Sequence, residues 1–300
     1  LVCATAEARQ AAWSFLETLG DPRLVCLDIA TGHNSQELWQ IFEAITNEVN
    51  EGDTLIFDIT HGLRSLPFLV FLVVAYLKAA RHVIIEAIYY GAYELGRPAP
   101  IIDLSEFVSL LDWLTATDQF VRTGDARYLA HLLETEGTRR QASTLKRAGE
   151  ELQSFSLAMM LCRPLEIMEK AGPLDTRLRQ AKADLQQWVR PFGLLADNIR
   201  NEYAARALPQ PTAPEHATAN LRQQLDLVNW YLRNNQIIQA ITLAREWIIS
   251  AVGWRLGRGL VLPFKEREPL ERGLGGIARV GREENGVTFS LADLGPEGQT

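Results

Sequence analysis

The chain is poor in the residues that staple, anchor or metallate a protein. It has three cysteines in 300 residues, Cys3, Cys26 and Cys162. They lie far apart in apolar surroundings, which excludes a disulfide framework and a Cys-based metal site and reads as buried, reduced thiols of a cytosolic protein. No metal and no cofactor are expected. Long apolar runs are also missing: the longest, Phe68 to Leu77, falls far short of the roughly 20 residues of a membrane span. No membrane partner is expected, and the location read from these features is cytoplasmic. Basic residues are outnumbered, 30 Lys and Arg against 37 Asp and Glu, for a formal charge of −7. That balance argues against broad coating of DNA, so no DNA partner is expected, although a local basic pocket can still hold a phosphate ligand. No G-x-G-x-x-G follows any strand pattern, so an ordinary NAD-dependent oxidoreductase fits poorly. No internal repeat is visible.

What is present is apolar material, 47% of the chain, enough for two ordinary cores. Leu1–Ala4 reads as a short strand, and Ala6 to Leu19 as a helix with Ala8, Ala12, Phe15, Leu16 and Leu19 inward. Leu24–Ile29 is a second strand, followed by the turn Ala30-Thr-Gly-His-Asn-Ser35, with Ser35 as N-cap of a helix that buries Leu38, Trp39, Ile41, Phe42 and Ile45. Thr54–Ile59 with its helix to Ala80, then His82–Tyr90, continue the alternation, which predicts a doubly wound parallel sheet. From Asp103 onward the strand signal vanishes. Helices are expected over Phe107–Val121, Tyr128–Leu133, Ala142–Met160, Thr176–Arg190, Leu221–Leu232 and Gln236–Leu256, with breaks at Gly124-Asp125, Gly172-Pro173 and Pro191. Ala207 to Pro214, with three prolines, reads as a linker, and Gly257 to Gly276 as a mobile segment rich in glycine and charge. The fold class is α/β plus all-α, in three parts: 1–104, 105–206 and 207–300.

The organising stretch is Thr54-Leu-Ile-Phe-Asp-Ile-Thr-His-Gly-Leu-Arg-Ser-Leu-Pro-Phe68. A buried strand, a sharp turn and a helix start place Thr60, His61, Gly62 and Arg64 where open parallel sheets bind ligands, and the free N–H groups of a helix start suit an anion. Asp58 would repel a phosphate, so its expected role is to hold the turn. Thr31, Gly32, His33 and Asn34 form the equivalent turn after the neighbouring strand, and Tyr89, Tyr90 and Gly91 close the last one. Each has a plainer reading as a capped helix start, a turn or packing; Gly91 stands out because glycine permits close backbone approach.

Asp58-Ile-Thr-His-Gly62 resembles the DxTHG signature of CRISPR-associated proteins with a CARF domain, a Rossmann-like sensor usually joined to a helical HEPN ribonuclease domain. Ile29 to Ile41, Ile88-Tyr-Tyr-Gly-Ala-Tyr-Glu94 and Ala240-Ile-Thr-Leu-Ala-Arg-Glu-Trp247 are similar to family segments in the family's order, so the resemblance runs from about Leu1 to Trp254. It implies a CARF sensor over 1–104, whose opening strand is expected to precede Leu1, a connecting helical region over 105–206 and a HEPN-like effector over 207–300. The implied activator is a cyclic oligoadenylate, tetra- or hexa-adenylate, bound by Thr31, Gly32, His33, Asn34, Thr60, His61, Gly62, Arg64, Tyr90 and Gly91 across a homodimer or higher even oligomer. The implied substrate is single-stranded RNA.

Effectors of this family cut RNA without metal, using an Arg and a His with four to six residues between them. The five histidines, His33, His61, His82, His131 and His216, supply no such pair. Arg200-Asn201 begins a similar stretch with Ala205 near the histidine's place, a weak catalytic candidate; the preferred account makes it structural and puts the catalytic motif beyond Thr300. Arg245 and Glu246 are read as an ion pair at a helix seam or as braces of a catalytic arginine. The leading expectation is a ring-gated ribonuclease, and the alternative is a non-enzymatic regulator that responds to the same ring. Phe107–Val121 is expected to carry motion between the parts.

Overall fold

The computed structural model describes residues 1–60, 66–189 and 192–280. The chain divides into two compact units, Leu1–Asp112 and Trp113–Thr300, the division falling inside one helix.

The first unit is α/β. Strand β1 (Val2–Ala4) pairs in parallel with β2 (Cys26–Asp28), and β3 (Thr54–Asp58) in parallel with β4 (Ile84–Gly91), whose far edge takes β5 (Ile101–Asp103) antiparallel. The helices α3 (Ser35–Asn47) and α4 (Leu66–Arg81) bury Ile41, Ile45, Leu69, Val73 and Leu77 against the strands, with Leu55, Phe57 and Ile85 packed on the same cluster. Each such side chain removed from water contributes about 1.5–3 kcal/mol.

Three expectations change here. The strands form one two-stranded and one three-stranded sheet rather than a single doubly wound one. β5 escapes periodicity because it is three residues long and exposed throughout. The stretch Ala6 to Leu19 is not one amphipathic helix: α1 (Ala6–Ala8) and α2 (Ser14–Glu17) flank a π-helical turn at Arg9–Trp13, and nothing in them is buried. Phe15 is 72% exposed, because the sheet beneath offers only two short strands.

The second unit is helical. Its elements are the rest of α5 (Ser105–Thr123), then α6 (Arg127–Arg139), α7 (Ser143–Met160), α8 (Pro164–Gln180), α9 (Lys182–Trp188), α10 (Phe192–Tyr203), α11 (Ala217–Arg233), α12 (Ile237–Arg255) and α13 (Phe264–Val280). Its core is a chain of aromatic contacts: Phe120 meets Tyr203 at 4.8 Å between ring centroids, Tyr203 meets Phe155 at 5.2 Å, and Trp230 meets Tyr231 at 5.2 Å. Edge and tilted geometries of this kind add to area burial. The Tyr203 hydroxyl donates to the Phe120 carbonyl at 3.1 Å, so the buried phenol is satisfied. Burial pushes both Tyr203 and Tyr231 well above the usual phenol range.

The predicted break at Gly124-Asp125 is present and anchored: Ser156 Oγ donates to the Gly124 carbonyl at 2.7 Å and accepts from the Ala126 N–H at 2.8 Å. The break at Pro173 is absent. α8 runs through it because Ile167, Met168, Ala171, Leu174 and Leu178 are buried on both sides, and this packing outweighs the lost N–H. The segment read as mobile carries α13, held by Leu270 in its packing and by Arg267–Glu271 and Glu268–Arg272 pairs one turn apart. The cysteines are free, as expected, but none is buried: Cys3 is exposed, and Cys26 and Cys162 are half-buried.

Candidate functional site

The turn after β3 is held by its own residues. Asp58 Oδ1 accepts the Thr60 backbone N–H at 2.9 Å, the turn-holding role expected of it. Thr60 then reaches across to the neighbouring strand, where its Oγ1 accepts the Gly91 N–H at 2.8 Å. β3 and β4 are parallel, so Thr60 and Gly91 share the carboxyl edge of this pair. A Cβ on residue 91 would lie 3.0 Å from Thr60 Cγ2 and 3.2 Å from Oγ1. The close approach that glycine permits is therefore made by the Thr60 side chain. Tyr90 beside it is half-buried. His61, Gly62 and Arg64 lie outside the described residues.

The turn after β2 is organised by a residue that pattern reading passed over. Glu37 Oε2 accepts Thr31 Oγ1 at 2.9 Å and the His33 N–H at 3.0 Å, while Oε1 accepts Asn34 Nδ2 at 2.8 Å. In return, Asn34 Oδ1 accepts the Glu37 N–H at 3.0 Å. This is a variant of the capping box with Asn34, not Ser35, as N-cap: Glu37 reaches back to the Asn34 side chain and the His33 N–H rather than to the N-cap N–H. The Asn34-x-x-Glu37 spacing is the signal that would have found it. The His33 N–H, with the Thr31 hydroxyl and the Gly32 N–H, holds the Glu37 carboxyl below the usual range. His33 Nδ1 lies 2.9 Å from Thr31 Oγ1. Thr31, His33 and Asn34 thus come together around a carboxylate, and Gly32, at φ 77°, supplies the left-handed turn between them.

In the helical unit the weak catalytic candidates part company. Arg200 Nε donates to Asp175 Oδ1 at 2.8 Å and Nη1 to Asp197 Oδ1 at 2.9 Å, which commits the guanidinium to two carboxylates. Asn201, the next residue, is exposed. Arg245 Nη1 donates to Glu246 Oε1 at 3.0 Å, Arg267 bonds Glu246, and Arg267 Nε donates to Glu271 at 2.7 Å. The pair therefore belongs to a four-member ion lattice across the seam of α12 and α13. Glu246 and Arg267 also line a cleft of about 430 Å³ with Gln224, Leu243 and Ser250. Among the described residues no group of three or more His, Cys, Asp or Glu could hold a metal ion. No described helix is long and apolar enough to cross a membrane.

The class defined so far is an α/β unit with braced turns at strand ends, followed by a helical unit. Comparison with known proteins places it further. Residues 109–207 match the family described as CRISPR-associated protein MJ1674, second domain. CRISPR-associated protein MJ1674 of Methanocaldococcus jannaschii is 29% identical over 163 residues, which is 52% of this chain and 24% of that protein. By these matches the chain is a homologue of a CRISPR-associated protein, and the similarity spans about a quarter of the relative's length.

Proposed function

We propose that the chain is the sensing and connecting part of a ribonuclease of CRISPR defence, switched on by a cyclic oligoadenylate. The α/β unit is then a CARF sensor and the helical unit belongs to a HEPN effector. The observation that carries the reading is the braced turn after β3: Asp58 holds the Thr60 N–H and Thr60 locks onto Gly91, so the DxTHG stretch starts from a fixed point at the carboxyl edge of two parallel strands. Similarity to a CRISPR-associated protein supports the setting.

In this reading the chain's own residues act in two ways. Arg64 supplies charge to a ring phosphate, and the backbone of His61 and Gly62 supplies N–H groups, the Thr60 N–H being already given to Asp58. Thr60 positions this loop through Gly91, since its hydroxyl already accepts one bond. The Thr31–Asn34 turn presents the Glu37 carboxylate, which would repel phosphate, so its natural contacts with a ring are to base or ribose N–H and O–H groups. A symmetric ring fits a two-fold dimer, each subunit offering the same loops.

The missing Arg-x4-6-His pair favours a second reading, a non-enzymatic regulator that answers to the same ring. Incubating the chain, and longer forms that extend past residue 300, with cyclic tetra- or hexa-adenylate and single-stranded RNA separates the two. The ribonuclease reading expects no cleavage by this chain and metal-independent cleavage, leaving 2′,3′-cyclic phosphate ends, by longer forms that contain the pair. The regulator reading expects ring binding and no cleavage by any form. Ring-stimulated cleavage by residues 1–300 would overturn the placement of the catalytic motif outside them.

A further inference from the structure

The hairpin of α6 and α7 carries a charge cluster at odds with an acidic chain. Between Glu136 and Glu150 stand Arg139, Arg140, Lys146 and Arg147, with no acidic residue among them, in a protein of formal charge −7. Gln141, at φ 55°, reverses the chain, and the Ala142 N–H bonds the Gly137 carbonyl at 2.8 Å, so the four cations gather at one end of the hairpin. The two helices cross closely: a Cβ on Gly149 would lie 2.9 Å from the Ala130 carbonyl oxygen. α9 joins the same end. Thr144 donates to Asp184, and the Arg140 guanidinium lies 4.5 Å from the centre of the Trp188 ring, which is 38% exposed.

The four cations are not equivalent. Arg139 and Arg140 pair with Glu136 and stand at the carboxyl end of α6, where the helix dipole favours positive charge. Lys146 and Arg147 are exposed, have no ion-pair partner among the described residues, and occupy the opening turns of α7, the positive end of that helix. α7 has no acidic residue in its first turn and no side-chain bond from its N-cap Ala142. Two cations near this positive end are unfavourable, and among the described residues only Asp184, which accepts from Thr144, brings a carboxylate to it; neither cation pairs with it. A local rule broken with so little internal compensation marks a place where an outside partner supplies the rest.

We propose that this end of the helical unit binds single-stranded nucleic acid, with Arg139, Arg140, Lys146 and Arg147 along the phosphates and the exposed part of Trp188 stacking on a base. Cations beside an exposed aromatic ring fit a flexible strand, whose bases can turn outward, better than a closed duplex. The choice of RNA over DNA rests on the function proposed above.

The test is anisotropy of a fluorescein-labelled single-stranded 20-mer, RNA or DNA in parallel arms, titrated with the protein without ring at several salt concentrations. Four phosphate contacts predict a slope of log affinity against log salt near −3, at about −0.7 per contact. Lys146→Ala with Arg147→Ala should make the slope shallower by about 1.4. Trp188→Ala should weaken binding about 5-fold to 150-fold, and Trp188→Phe should restore much of it. Lys146 and Arg147 are exposed, so their substitution leaves the fold intact and keeps the test valid if Trp188→Ala unfolds. Unchanged affinity and slope in the double variant, or displacement of RNA by polyglutamate at equal charge, would overturn the proposal. Preference for the DNA arm would overturn RNA as the partner. Binding is read without ring or cleavage, so this result and that of the sensor reading are independent.

Discussion

Replacing Gly91 by Ala tests the brace that positions the candidate loop. The new methyl would stand 3.0 Å from Thr60 Cγ2 and 3.2 Å from Oγ1, inside ordinary contact. Thr60 must move, and the 2.8 Å bond from the Gly91 N–H to its hydroxyl must stretch. Crowding of this kind costs about 1–3 kcal/mol. Losing the bond costs about 0.5–1.5 kcal/mol more. Ala in place of Gly returns about 0.4–1 kcal/mol through the unfolded chain, since residue 91 lies in a strand and needs no left-handed backbone. The net expectation is a loss of about 0.5–4 kcal/mol from the first unit. Urea unfolding followed by hydrogen exchange over 54–60 and 84–91 reads it locally, which matters because two units need not unfold together. The geometry also predicts a rescue. Thr60→Ser removes Cγ2, the nearest atom, and keeps the hydroxyl, so the double variant should regain most of the loss. Full stability in Gly91→Ala, or no coupling between the two changes, would refute this account of the brace.

Other outcomes follow from the same contacts. Asn34→Ala removes the N-cap of α3 and should cost about 1 kcal/mol by chemical denaturation; no loss would remove the capping box from the account. Glu37 has a depressed folded pKa, so its contribution is present above the ordinary value of 4.5 and is lost as pH falls through the lower folded value. Exchange protection of the His33 amide, which donates to Glu37, should decline on that acid limb, and constant protection throughout would contradict the assignment. Tyr203→Phe leaves the buried Phe120 carbonyl without its phenol donor and should cost about 1 kcal/mol in the helical unit, measured by thermal melting; an unchanged melt would mean the bond contributes nothing.

The sequence revealed what periodicity and punctuation encode. Alternating strands and helices, the break at Gly124-Asp125 and a helix-free stretch after Ala207 stand close to where pattern places them, because long apolar stripes and glycine or proline punctuation act locally. β5 was invisible because three exposed residues carry no period. Helix continuity through Pro173 was hidden because it depends on tertiary burial at Ile167 to Leu178. α13 was misread because charge looks like solvation until Arg267 finds Glu246 and Glu271. At the candidate site, Thr60 and Gly91 were each legible as turn residues, but their contact is not, since strand pairing brings residue 91 to residue 60. Glu37 is legible in principle through its spacing from Asn34, but its bonds to Thr31 and His33 exist only once the turn folds back over the first turn of α3.

The central claim is a phosphate-bearing ring bound at the DxTHG turn, and titration calorimetry of cyclic tetra- and hexa-adenylate into this chain, native and Arg64→Ala, tests it most directly. The account predicts binding of one ring per two chains and a loss of about 10-fold to 100-fold on removing Arg64, corresponding to a charge-assisted hydrogen bond of about 1.5–3 kcal/mol. Absence of binding by either ring, or equal affinity in the Arg64→Ala variant, would contradict it.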